Sequence, residues 1–252
     1  MDLWKWVLVV AAAVFSALAL VGGAPRPASA PARLAGQLES GTFVLEQAGK
    51  PLLREDFLLS SAGPTVDLHS TIVYAGPAPT QSLTQRFRLT DALQPVRYVL
   101  QGDAAQQPTT LVEIEANRVR MNVVGSGQAR AGQLDVSPPL FVLDPNVMSH
   151  YLLLYRYLEG RQAPIYPFKA TAIDPQTLEA HPLLQPDPPQ RVTLKSGAQL
   201  LEAQQFVVNV GTTQVVLYGQ GTTFYGVAFP ARHALAYRQD VLTGGIDAVI
   251  VP

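Results

Sequence analysis

Two periodicities share this chain, and their order constrains the fold. From Gly41 to Leu100 apolar side chains recur at every second position. Strand-type sequence resumes at Tyr166, and between the two lies one segment of helical spacing, Asp144 to Leu158 (DPNVMSHYLLLYRYL). Alternation over several neighbouring strands implies an antiparallel sheet with one wet face. In the helical segment Val147, Met148, Tyr151, Leu152, Leu154, Tyr155 and Leu158 cover most of the circumference. Asn146, Ser149, His150, Arg156 and Tyr157 leave a narrow polar stripe, interrupted by Leu153. A helix this apolar must be buried on most of its surface. The expected fold is therefore mainly β: a curved antiparallel sheet or unclosed β-barrel with one central helix on its concave face.

Local signals frame that helix. Asp144 is a good N-cap, Pro145 fits the first helical position, and Gly160 is free to end the helix in the left-handed conformation. Upstream, Thr42 to Gln47 and Leu52 to Leu59 read as strands around a turn at Ala48-Gly49-Lys50. Leu53, Phe57 and Leu59 share one face and Arg54 and Asp56 the other, while Glu55 falls on the apolar face. Val66, Leu68, Ser70, Ile72 and Tyr74 alternate with Asp67, His69 and Thr71. Gln85 to Leu89 and Val96 to Leu100 continue the pattern. Val112 to Val123 is a hairpin turning at Ala116-Asn117, which sets Glu115 opposite Arg118 and Glu113 opposite Arg120. Gly125 to Gly132 (GSGQARAG) reads as a loop. Downstream, His181 to Gln190 is too proline-rich for a central strand. Glu202 to Val210, Gln214 to Tyr218 and Thr223 to Phe229 form a meander, with Leu235 to Val241 as the last strand. Asp91 to Pro95 and Asp174 to Leu178 hint at two related halves.

Residues 1–30 have the order of a targeting segment: Lys5, an apolar run from Val7 to Val21, then small residues ending at Ala28-Ser29-Ala30. The run suits a signal peptide, to be removed or kept as an N-terminal membrane anchor helix, and Trp4 and Trp6 suit a membrane interface. Residues 31–40 continue a linker, and residues 41–252 are expected to form one β-rich domain outside the cytoplasm. Eighteen basic and nineteen acidic residues leave a net charge of −1, which gives no electrostatic footprint for nucleic acid. The absence of cysteine excludes disulfides, thiolate metal sites, a cysteine nucleophile and a lipid-modified cysteine.

Chemistry-bearing patterns are few. His69, His150, His181 and His233 lack metal-ligand spacing, so neither metal nor cofactor is expected. Ser149 and His150 beside Asp144 could suggest a nucleophile and base, but adjacent helical residues point about 100° apart. Asp144 is better explained as a cap, and His150 as a boundary residue. Arg86, Arg88, Arg118 and Arg120 could bind an anion, or could pair across strands on a solvated face. Glu55 on an apolar face could bind or protonate a group in a cavity, with its pKa raised by burial. An arginine partner or a shifted register would equally account for it.

Order of elements and the DPNVMSHYLLLYRYL segment make the chain resemble the LolA/LolB-like half-barrels of the bacterial envelope, and secreted bacterial families of similar architecture, over about Gly36 to Val241. The resemblance implies a helix-covered cavity for acyl chains. It transfers no functional residue, and the missing cysteine departs from the lipid-anchored members. The expectation is a non-enzymatic binding domain for an apolar or lipid-like ligand. Its candidate cavity walls are Met148, Tyr151, Leu152 and Tyr155, with Phe57, Tyr74 and Tyr98 opposite and Glu55 as the polar group. The alternative is a structural or protein-interaction domain of the envelope without a ligand.

Overall fold

The computed structural model describes residues 39–76, 81–103, 108–125, 128–161 and 165–251. The expected signal or anchor helix and nearly all of the linker lie outside them. The first meander comprises β1 (Glu39–Gln47), β2 (Lys50–Ala62), β3 (Thr65–Tyr74), β4 (Ser82–Thr90), β5 (Pro95–Gly102), β6 (Thr109–Glu115), β7 (Arg118–Gly125) and β8 (Gln128–Asp135). Each pairs antiparallel with the next. A short β9 (Leu140–Val142) precedes the helix α1 (Met148–Glu159). The chain continues through β10 (Phe168–Asp174), β11 (Glu179–Gln185), β12 (Gln190–Ser196), β13 (Gln199–Val210), β14 (Thr213–Gln220), β15 (Thr223–Phe229), β16 (Ala234–Arg238) and β17 (Ala248–Ile250). β1 also pairs with β16, Phe43 opposite Arg238, and this ladder joins the two meanders into one sheet. The sheet is curved, unclosed and antiparallel apart from the parallel β9–β10 pair, and α1 is the one α-helix among the described residues.

The two halves bury their strands differently, and the sequence reflects it. In β2 to β5 the alternation is clean, with Leu53, Phe57, Leu68, Ile72, Phe87 and Tyr98 inside and Arg54, His69, Arg86 and Arg97 exposed. In β14 to β16 both faces are covered. Leu217, Phe224 and Val227 join the main core, whereas Val216, Tyr218, Tyr225 and Tyr237 pack in a second cluster with Leu242 and Val249 from the C-terminal segment. Continuous apolar runs such as Val215 to Tyr218 follow from this two-sided burial.

The expected registers of the β6–β7 hairpin hold: Glu115 faces Arg118 and Glu113 faces Arg120. Several expectations do not. Glu39 and Ser40, read as linker, begin β1. Gln128 to Gly132, read as loop, belongs to β8, and β17 follows the strand read as last. His181 to Gln185 is strand in spite of Pro182. The Pro182 carbonyl accepts from Gly211 N–H at 2.8 Å, so its nitrogen also points away from β10 and the missing donor costs no β10–β11 bond. The helix begins at Met148 rather than at Pro145, and Gly160 ends it with a right-handed φ of −72°.

Candidate functional site

The start of α1 explains why Asp144 is not its cap. Asp144 Oδ1 accepts from the N–H of Asn146 (2.9 Å) and from the Gln176 amide (2.8 Å), which closes the turn before the helix. The residue preceding the helix, Val147, is extended and has no capping side chain. The cap comes from across the fold. Glu55 Oε2 accepts from the N–H of Met148 (2.6 Å) and Ser149 (3.1 Å), and Oε1 accepts from Ser149 Oγ (2.5 Å). Glu55 thus satisfies the free N–H groups of the first turn from β2, and its charge complements the positive end of the helix. Burial pushes its carboxyl up, while the Ser149 hydroxyl, Ser70 and the two helix N–H groups hold it down. Ser70 Oγ itself has no hydrogen bond of ordinary geometry.

A buried polar cluster surrounds this cap. Burial pushes the Asp144 carboxyl up to about 6, against the opposing hydrogen bond from Asn146 N–H. His150 is buried as well, a correction to its reading as a boundary residue, and burial drives its pKa down to about 3. Its Nδ1 accepts from the N–H of Asp144 at 3.0 Å, which assigns the ring proton to Nε2. The ring stands edge-on between Phe87 and Tyr98, 5.1 Å from each centroid. Tyr98 is fully buried and its hydroxyl points at Asp144 Oδ2 (3.5 Å). Burial pushes half-buried Tyr74 up to about 12, assisted by the charges of Asp144 and Glu55.

The far end of α1 is tied by charge. Arg156 pairs with Glu39, which also receives Arg238 Nη1 at 2.9 Å; Arg238 in turn holds Asp240 and lies over the ring of Phe57. The Arg156 and Arg238 side chains are 5% exposed, so removing Glu39 would leave Arg156 without its carboxylate and with little water to solvate it, while Arg238 keeps Asp240. Gly41 is required here, because a Cβ would lie 2.5–2.7 Å from the Arg238 guanidinium.

Between these anchors the residues expected to wall a cavity are densely packed. Met148, Leu152 and Tyr155 have no exposed surface, and Phe57 stacks on Phe43 at 5.1 Å. Tyr155 lies among Phe206 and Phe224 and donates to the Gly221 carbonyl at 2.9 Å. Of the expected set, Tyr151 borders a cleft of about 260 Å³, lined also by Leu143, Val215, Phe229, Asp174, His181 and Arg232. Its ring packs edge-on against Phe229 at 5.1 Å. Its hydroxyl has no hydrogen-bond partner among the described residues. Arg232 donates to the Pro145 carbonyl at 3.2 Å and lies close enough to lower the pKa of Tyr151, which burial raises.

The structure therefore joins Glu55, Met148, Tyr98 and Tyr74 at the helix start, and places Phe57, Leu152 and Tyr155 in the core. The cleft residues after Asp174 escaped the sequence reading because they come from three separate segments, at His181, Val210 to Val215, and Phe229 to Arg232. Among the described residues no group of three or more histidine and acidic side chains could hold a metal, and no helix is long and apolar enough to cross a membrane. The chain matches no family model, no curated protein and no solved structure.

Proposed function

We propose that this chain is a non-enzymatic binding domain that acts outside the cytoplasm and takes a small amphipathic ligand in the cleft beside α1. The observation that carries the reading is Tyr151: its ring packs against Phe229, the residue lines the cleft, and its hydroxyl has no hydrogen-bond partner among the described residues. A ligand with an apolar body would lie on Leu143, Val215 and Phe229, and an anionic or acceptor end would meet Tyr151 and Arg232. At about 260 Å³ the cleft suits a short acyl carboxylate better than a full lipid chain. An unclosed sheet with an inward helix supports kinship in architecture with LolA/LolB-like half-barrels, with the ligand space moved to one end of the helix. The apolar run before Ala28-Ser29-Ala30 supports export.

Calorimetric titration with octanoate tests this reading. Wild type should bind, and Arg232→Gln and Val215→Trp should each bind about tenfold more weakly, a change of about 1.4 kcal/mol. No binding by wild type, or equal binding by all three, removes the cleft as the site. The second reading, a structural or interaction domain without ligand, is favoured by the full burial of Met148 and Leu152.

A further inference from the structure

We infer that the outer face of β3, β4 and β5 forms a second site, for a phosphate-bearing anion. A groove of about 700 Å³ runs over these strands, and His69, Arg86, Arg88 and Arg97 line it together with Asp67 and Asp103. Register places the cations. Arg88 stands directly opposite Arg97, and Arg86 directly opposite His69. Spacings of about 5 Å between strands and 7 Å along them bring the three guanidinium groups within reach of one oxyanion.

Cross-strand pairing accounts for only part of this charge. Arg88 Nε binds Asp67 at 2.8 Å, and Arg97 Nε approaches Glu113 at 3.7 Å, so both are neutralised from their outer flanks. Register nevertheless sets Arg88 directly opposite Arg97 across β4 and β5, where like charges repel. Arg86 forms no ion pair among the described residues, and its diagonal acidic neighbour, Asp67, is engaged by Arg88. An anion between Arg86, Arg88 and Arg97 would relieve the repulsion, and guanidinium forks match the geometry of phosphate oxygens. By contrast Arg118 and Arg120 lie off the groove, beside Asp135 at 3.6 Å and Glu115 at 3.9 Å, which is ordinary ion pairing on a solvated face.

The phosphate could be free or part of a lipid headgroup, and two arms separate these sources. In the first, inorganic phosphate is titrated into the full chain at low salt while amide shifts of β3 to β5 are followed by NMR. In the second, the protein is sedimented with vesicles of phosphatidylcholine containing phosphatidylglycerol, or of phosphatidylcholine alone. Binding in either arm should weaken at least tenfold in Arg86→Ala and in Arg97→Ala. It should be unchanged in Arg54→Ala, whose partner is Asp56 on β2. Phosphate binding would mark a free anion as the ligand; binding only to phosphatidylglycerol vesicles would mark a headgroup. No binding in both arms, or binding indifferent to Arg86→Ala and Arg97→Ala, overturns the inference.

Discussion

Replacing Glu55 with alanine separates a helix cap from a ligand-binding carboxylate. As a cap, Glu55 accepts from two backbone N–H groups and one hydroxyl at a helix start that is buried throughout. An exposed N-cap contributes about 0.5–2 kcal/mol. Here the loss is larger, because Met148 and Ser149 N–H would be stranded away from water at about 1–3 kcal/mol each. Relief of the buried charge, whose pKa burial has raised, offsets part of this. The net cost should be roughly 2–4 kcal/mol. Glu55→Gln keeps an acceptor and the side-chain shape, and should cost about 1 kcal/mol. The assay is urea unfolding followed by far-UV circular dichroism, since both tryptophans lie at positions 4 and 6. The midpoint should fall with the slope unchanged. Glu55→Ala as stable as wild type, or more so, would show that the carboxylate does not hold the helix.

Three further outcomes follow from the same packing. Asp144 titrates near 6 when folded and near 3.8 when unfolded, so its contribution to stability is fully present below about 3.8 and is lost as pH rises through about 6. Unfolding curves between pH 4 and 7 should therefore show a loss on the order of 3 kcal/mol, which Asp144→Asn should flatten. Leu152→Ala should cost about 2–5 kcal/mol in urea, as in a dense core, and more than the less buried Leu100→Ala; a near-neutral Leu152→Ala would reveal loose packing. Gly219→Ala should destabilise by at least about 2 kcal/mol, because its Cβ would clash with Tyr155 Cζ and lie 2.6 Å from the Thr223 carbonyl oxygen, and a thermal midpoint equal to wild type would contradict those contacts.

Most of the fold was legible because burial on one face leaves a period of two. Arg86, Phe87, Arg88 and Leu89 alternate in the sequence as they do in β4. Where both faces are buried, as in β14, the pattern becomes a continuous run that marks a strand but not its facing. The β8 sequence hid its strand because Ala129 to Gly132 has no large apolar side chain to alternate. Glu55 could be placed on the inner face, but not given a partner: Met148 lies far along the chain, and capping between distant elements leaves no local spacing to read. Charge at Arg156 suggested a wet stripe; Glu39, outside any recognisable pattern, is what allows it to be buried. The cleft was illegible for the same reason, since Tyr151 meets Phe229 and Arg232 only through the tertiary path of the second meander.

Methyl NMR with octanoate tests most directly where a ligand enters. Methyl groups of Val210, Val215 and Ala172 line the cleft, whereas those of Met148 and Leu152 lie in the sealed core. Titration should shift the first group in a saturable way and leave the second unmoved. Shifts centred on Met148 and Leu152 would instead place the ligand between helix and sheet, and would contradict a solid core with its binding space at Tyr151.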